Sequence, residues 1–513
     1  MSDNTSENSK RIAKNTLLLY MRMLLLMGVN LYTSRVVLQV LGVTDFGIYN
    51  VVGGFVAMFS VISASLSAAI SRFLTYELGR GDKTRLSKIF SSSVTIQIGL
   101  AIIILLLAET VGMWYLNGKM NIPEDRMYAS NCVFQLSLAT FVVNLINVPY
   151  NSAIIAHEKM GAFAYISIFE GLAKLGIAFL LFVSPIDKLV YYSLLMFMVA
   201  FIVRCLYTYY CTHNFEECKY KFVFDKELLR QMFGFAGWNI IGASAGILRD
   251  QGGNLVLNYF LGTIVNAARG ISFQIKTAVQ SFSINFMMAL NPQITKSYAR
   301  GDKDYMMMLL FRGARYSYYI LLILTLPIFI NTPYILNLWL TEVPDYTVNF
   351  TRLVLILTLS ESLSNPLITA MLATGKIRYY QIIVGGLNLL NLPVFILLLK
   401  AGIEPESVFV TEIIFSQICL IVRLVLLKNM IGLKIVKFLK EVYFNIVIVT
   451  LISALLPFGM YYIMNYNFSM FCIVTIISIL SAACSIWVVG FNYHERKIYR
   501  EKLLLFIKNK IKK

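Results

Sequence analysis

The chain is short of charge. Asp, Glu, Lys and Arg make up 14% of its 513 residues against 58% hydrophobic residues, and it holds only three histidines. A water-soluble domain carries about a quarter of its residues as charge, so too little polar surface is present to coat a soluble globule. Cysteine usage excludes a disulfide framework: the seven cysteines form no Cys-x-x-Cys pair, and an odd number is scattered through apolar runs. The segment CTHNFEEC at 211–218 matches no standard zinc spacing and reads as a solvated loop, so no metal is expected. No Gly-x-x-x-x-Gly-Lys-Ser/Thr stretch occurs, which argues against ATP hydrolysis on a P-loop. A cleavable signal peptide is not expected either. The polar opening MSDNTSENSK leads into an apolar run long enough to remain as a span.

What the chain does have is apolar runs of about 18 to 28 residues, the length that carries a helix across roughly 30 Å of hydrocarbon, and a mean hydropathy of +0.70. Barrel strands would be about ten residues long and alternating, so the fold class is an all-α integral membrane protein. Fourteen spans are predicted, at about 15–41, 46–75, 89–115, 127–156, 162–183, 188–211, 233–261, 265–294, 312–331, 347–373, 378–399, 407–427, 442–464 and 468–490. An even count places both termini on one side. Giving that side the termini and every second connection collects about 33 of the 45 basic residues there, which predicts that it is the cytoplasm. The net charge of +18 then needs no nucleic acid, because basic loops lie against anionic lipid. The basic tail HERKIYREKLLLFIKNKIKK is expected to lie on the same surface as an amphipathic helix.

The tetrapeptide Arg-Gly-Asp-Lys occurs twice, at 80–83 and 300–303. Sliding the chain by 220 positions also aligns Leu41-Gly42 with Leu261-Gly262, Ser63 with Ser283, Ala69 with Ala289 and Thr75 with Thr295. A second block, VPYNSAIIAHEK at 148–159, answers NPLITAMLATGK at 365–376. The sequence is therefore a duplication of six spans in one orientation, and the Arg-Gly-Asp triplets are turns after spans 2 and 8 rather than an adhesion signal. The expected domains are a first lobe (1–211), a linker (212–232), a second lobe (233–427), spans 13 and 14 (428–493) and the tail (494–513).

Charge inside the spans is costly, at roughly 2.5–3.5 kcal/mol for each mid-span group facing lipid, so such groups are candidate functional residues. The basic ones are Arg22, Arg35, Arg72, Lys174, Arg249, Arg269, Lys276 and Arg352, and the acidic ones Glu109, Glu170, Asp250, Glu361 and Glu412. Arg72, Arg269 and Arg352 lie near span ends, where snorkelling is an equal alternative. Glu170 and Lys174 have i, i+4 spacing and form either a structural pair or part of a site. Arg249 and Asp250 precede Gly252-Gly253, a pattern expected of a helix that bends or breaks beside a binding site, with close packing at Gly242-x-x-x-Gly246 as the alternative. Six of the eight basic groups lie on spans 1, 2, 7 and 8, which predicts a cationic cleft for an anionic ligand such as a diphosphate.

The stretches SRVVLQVLG, VTDFGIYNVVGGF and SRFLTYELGRGDK, with the duplicated layout plus two spans, resemble the multidrug/oligosaccharidyl-lipid/polysaccharide (MOP) exporter superfamily, in particular its bacterial Wzx-type flippases. The resemblance implies fourteen transmembrane helices, with two six-helix lobes in a V, a MATE-like arrangement, and two C-terminal helices. It also implies a non-enzymatic, monomeric protein of the bacterial inner membrane that moves undecaprenyl-diphosphate-linked oligosaccharides outward by alternating access, for O-antigen, lipopolysaccharide or capsule assembly. Its partners would be a polysaccharide polymerase and a chain-length regulator. On this basis Arg22, Arg35, Arg249, Lys276, Arg269 and Lys174 would attract the diphosphate, and Asn30, Gln251, Asn254, Gln274 and Gln280 would bind sugar hydroxyls. No cofactor is expected, and Asp250, Glu361 and Glu170 are candidates for coupling to H+ or Na+. The alternatives are a MATE-type cation antiporter, a lipid II flippase and, in another class, a polyprenyl-linked sugar polymerase or glycosyltransferase. An antiporter for cations should favour buried carboxylates, and a polymerase needs a larger outer loop than any present.

Overall fold

The computed structural model describes residues 2–57, 60–118, 122–223, 225–340, 343–463, 467–492 and 495–497. Helices dominate these residues and no strand occurs among them. Most of the predicted tail therefore lies outside the described residues.

Two compact units organise the chain: Met1–Ala243 with Met288–Asp302, and Ser244–Met287 with Lys303–Lys513. The first contains α1 (Ser2–Ala57), α2 (Ser60–Arg80), α3 (Lys83–Leu107), α4 (Met113–Gly118), α5 (Met127–Ala156), α6 (Met160–Leu180) and α7 (Lys188–Asn214). Helix α8 (Lys226–Ala299) gives its two ends to the first unit and its middle to the second. The second unit continues with α9 (Lys303–Ile330), α10 (Thr332–Trp339), α11 (Thr347–Ser362), α12 (Asn365–Thr374), α13 (Arg378–Lys400), α14 (Ser407–Ile431), α15 (Ile435–Phe438), α16 (Asn445–Ile463) and α17 (Phe468–Ser485).

Eleven helical segments among the described residues are long and apolar enough to cross a membrane. Their outward faces are apolar as well: Ile102, Ile103 and Leu106 on α3, and Tyr165, Phe169 and Leu172 on α6, are all exposed. Buried polar groups, such as Ser91, Ser92, Ser93 and Gln97 of α3, lie inside among apolar neighbours that include Ile89, Phe90 and Ile104. A continuous apolar exterior with polar groups held inside is the arrangement of a protein solvated by lipid. The three remaining predicted spans, 46–75, 233–261 and 265–294, correspond to the end of α1 with α2 and to α8, the helices that carry much of the intramembrane charge.

The breaks between spans differ from the sequence expectation. Within α1 only Gly42, at φ 79° and ψ 168°, leaves the helical region, and α8 runs through 262–264 without a break. The stretch there, YFLGTIVNAA, is mostly apolar and carries no charge or proline, so staying helical keeps its peptide groups bonded where water is scarce. Conversely, predicted span 10 is interrupted between α11 and α12 at Leu363–Ser364. Ser364 donates its N–H to the Glu361 carbonyl in a tightened turn, and Pro366 then starts α12 where its missing N–H is not needed.

The duplicated tags have a local cause. Gly81 and Gly301 both adopt the left-handed conformation, at φ 80° and 75°, and end their helices there. In the first copy Asp82 then caps α3 by accepting the Arg85 N–H at 2.9 Å. One residue stops a helix and the next starts another.

Candidate functional site

The second unit holds the densest set of intramembrane charges. Its helices α9 and α11–α12 are the most enclosed of the spans, with 67% and 61% of their apolar windows buried, and they form the scaffold. A cavity of about 350 Å³ opens beside the α11–α12 interruption. Arg249, Asp250, Lys276 and Gln280 reach it from α8, Glu361, Ser364 and Asn365 from the interruption, and Arg423 from α14.

Inside it the charges are shared. Arg249 donates from Nε to Asp250 Oδ1 at 2.8 Å, and its Nη2 lies 3.4 Å from Glu361 Oε1. Lys276 Nζ sits 3.0 Å from the other Glu361 oxygen, so one carboxylate bridges two cations. Arg423 is different: its Nη1 donates to Ser364 Oγ at 2.9 Å, its Nε is buried without a hydrogen-bond partner, and no carboxylate pairs with it among the described residues. Three basic groups therefore face two acidic ones, an excess of one positive charge. The N-terminus of α12, whose free N–H groups favour anions, adds to this field.

A second pair stands behind the cavity wall. Arg269, 2% exposed, lies 3.5 Å from Glu412 Oε1, donates to the Asp250 carbonyl at 3.2 Å, and stacks on Phe273 and Phe409. Gly253 makes room for it, since a Cβ there would sit 3.1 Å from the Arg269 guanidinium. The Gly252-Gly253 pair thus serves close packing in an unbroken α8, and the helix interruption expected beside it occurs in span 10. Arg269 is paired with Glu412 and does not line the cavity.

The other predicted residues fall elsewhere. Lys174 and Glu170 pair with each other at 2.6 Å on α6 in the first unit. Arg22, on α1, lies over the Phe163 ring of α6 at 4.5 Å, with Nε and Nη1 buried and without hydrogen-bond partners. Asn30 on α1 and Gln274 on α8 are exposed and outside the cavity. The side chains of Arg35, Gln251 and Asn254 lie outside the described residues. In the second unit the cations form an ion network with a small positive excess: Arg249, Lys276 and Arg269 each meet a carboxylate, as burial favours, and Arg423 meets none among the described residues. Arg423, near the end of predicted span 12, is told apart from a snorkelling residue only by its three-dimensional neighbours.

Solved structures share this helical membrane scaffold. A MATE family multidrug resistance transporter of the MOP superfamily in an outward-facing conformation superposes with a TM-score of 0.72, over 83% of this chain and 96% of its own, at 11% identity. A MOP superfamily transporter from Pyrococcus furiosus, described as having a binding pocket of reverse polarity that suggests a different function, gives 0.68 over 82% and 96%, at 11% identity. A variant of the Vibrio cholerae MATE transporter VcmN gives 0.68 over 83% and 98%, at 16% identity. At these identities the likeness establishes the fold.

The chain belongs to the polysaccharide biosynthesis protein family, whose model matches residues 12–298. That match takes in α8 with Arg249, Asp250, Arg269 and Lys276. The uncharacterized membrane protein EpsK of Bacillus subtilis is 20% identical over 289 residues, 55% of this chain and 56% of that relative, so the match spans little more than half the length of each.

Proposed function

We propose that the protein is a flippase that carries undecaprenyl-diphosphate-linked oligosaccharide units from the cytoplasmic to the outer leaflet of the bacterial inner membrane, by alternating access, for surface polysaccharide assembly. On this reading both termini are cytoplasmic, and the protein works as a monomer beside a polymerase and a chain-length regulator. The observation that carries the proposal is the state of the cavity's charges. Both carboxylates are already engaged by Arg249 and Lys276, while Arg423 and the α12 N-terminus have no anion, so the unfilled demand is for negative charge. A cationic drug would meet the opposite field. A volume of about 350 Å³ accommodates a diphosphate with its adjoining groups rather than a whole oligosaccharide, so the cavity reads the phosphate end of the cargo. When a proton or Na+ neutralises Glu361, Arg249 and Lys276 are released to the diphosphate, which would couple cargo and ion.

The test is deletion of the gene followed by analysis of lipid-linked oligosaccharide on the inner leaflet and of susceptibility to cationic drugs. Accumulated oligosaccharide with unchanged susceptibility is expected, and the reverse result overturns the proposal. Arg249→Ala and Arg423→Ala, with protein still present in the membrane, should each lower surface polymer about tenfold or more, as loss of a charge-assisted hydrogen bond implies. Arg249→Lys should keep part of it.

A further inference from the structure

A second charged cavity, of about 510 Å³, lies at the start of α9 in the second unit and shares no residue with the first. One wall is formed by Asn492 and Glu495, which follow α17. The Gly490 carbonyl accepts from Arg315 Nη1 at 3.1 Å and from the Tyr319 hydroxyl at 3.2 Å. Glu495, 4% exposed, accepts from Arg312 Nε at 2.9 Å, Arg315 Nη2 at 2.8 Å, Tyr316 at 3.3 Å and the Asn492 N–H at 3.0 Å. These contacts use up Arg312 and most of Arg315 in holding the wall, yet Arg315 Nε remains buried without a hydrogen-bond partner.

The opposite wall carries Lys303, Lys434 and Lys437 beside two carboxylates, Asp304 and Glu441, so lysines outnumber acids there. Lys303 at the start of α9 and Lys434 before α15 make no ion pair among the described residues, and Lys437 lies 3.8 Å from its only carboxylate, Glu441. Between the walls the floor is apolar, formed by Met307, Met308 and Phe311. Outside it, Val436 is 79% and Leu439 42% exposed, interleaved with Lys434, Lys437 and Lys440. Apolar groups alternating with lysines on a short segment is the pattern of a chain at headgroup depth, with carbon in the acyl boundary and ammonium groups at the phosphates.

We infer that this cavity is a binding site for a phosphate ester, filled by the headgroup of an anionic phospholipid whose glycerol end rests on Met307, Met308 and Phe311. Lys303, Lys434 and Lys437 hold the phosphate, and Glu495 fixes its own wall through Arg312 and Arg315. A soluble phosphate would satisfy the lysines and leave the apolar floor uncovered, which is why the lipid is the favoured source.

The experiment uses the full-length protein released from detergent into a native mass spectrometer, after incubation with phosphatidylglycerol, phosphatidylcholine or millimolar inorganic phosphate. The probe variants are Lys434→Gln with Lys437→Gln, both exposed and remote from the core, and, on another helix, Lys303→Gln. The wild type should retain phosphatidylglycerol in preference to phosphatidylcholine. The double variant should lose this with an apparent affinity about tenfold weaker or more, and Lys303→Gln should lose part of it. Unchanged retention in both variants overturns the site, as does equal retention of the two lipids. Displacement of phosphatidylglycerol by inorganic phosphate, with phosphate bound by wild type and not by the double variant, overturns the lipid assignment and gives the site to a soluble anion.

Discussion

Glu158 shows what one residue is asked to do. It occupies the left-handed region at φ 60°, a conformation that costs a non-glycine residue about 1–2 kcal/mol. The duplicate copy places Gly375 at the matching position, 217 residues on, with φ 74°. The first copy keeps a carboxylate there because its neighbours need one: Glu158 is buried, Arg11 Nε lies 2.9 Å from Oε2, Lys296 Nζ 2.6 Å from Oε1, and Gln293 donates to Oε2 at 2.6 Å. Asn15 donates to its carbonyl at 3.2 Å. Glu158 therefore ties the start of α1 to the last turns of α8 within the first unit. Glu158→Gln should destabilise the detergent-solubilised protein by about 3 kcal/mol, since it leaves Lys296 buried without its counter-charge. Gly375→Ala should cost only about 1 kcal/mol, the strain of a Cβ at positive φ. Thermal unfolding of both variants checks the ranking, and an equal cost would mean that the ion cluster adds nothing.

Among the elements, the end of α7 opposite the basic connections is fixed by a three-residue clamp. Asp187 caps α7 by accepting the Leu189 and Val190 N–H groups at 3.0 and 3.2 Å, and Arg126, just ahead of α5, reaches it at 2.7 Å while also binding Asp45 of α1. Burial alone would raise the Asp187 carboxyl, but the Arg126 hydrogen bond and the helix N–H groups outweigh it and hold it below the usual carboxylate range. A depressed folded value means that the clamp stabilises fully above the unfolded value of about 4 and is lost as the pH falls through the folded one. The melting temperature of the wild type should therefore exceed that of Asp187→Asn at neutral pH, and the gap should close as the pH drops below about 4. A gap that persists in acid would assign the effect to packing. Elements of this kind were only partly legible. Helical class, span lengths and the repeat follow from composition and spacing, because hydrocarbon admits few alternatives. The break at Leu363–Ser364 was signalled by Ser-Asn-Pro but was passed over for the glycines of α8. The pairing of Arg249 and Lys276 on Glu361 depends on three-dimensional neighbours that spacing along one helix cannot supply.

Across the whole molecule the duplication is unequal in charge. At the repeat offsets Arg249, Asp250, Arg269, Lys276 and Glu361 of the second copy correspond to Val29, Asn30, Tyr49, Val56 and Asn144 of the first, none of them charged at neutral pH. Duplication produced two similar scaffolds, and the mid-span network of Arg249, Asp250, Lys276 and Glu361 belongs to the second, so charge recognition and any coupling to an ion belong to the second unit on the proposed reading. The first copy's Glu170–Lys174 pair is self-neutralised on one helix and needs no cargo to balance it. This asymmetry separates two driving forces. If a proton on Glu361 releases Arg249 and Lys276, then Glu361→Gln locks the network in its released state. Purified variant in proteoliposomes should then still move a fluorescent polyprenyl-diphosphate sugar down its gradient, but acceleration by an imposed pH difference should vanish, while acceleration by membrane potential persists. Lys174→Gln together with Glu170→Gln should leave both responses intact. A Glu361→Gln protein that keeps its full response to the pH difference would remove Glu361 from coupling, and Asp250, the other acid at the cavity, would take its place in the same assay as Asp250→Asn.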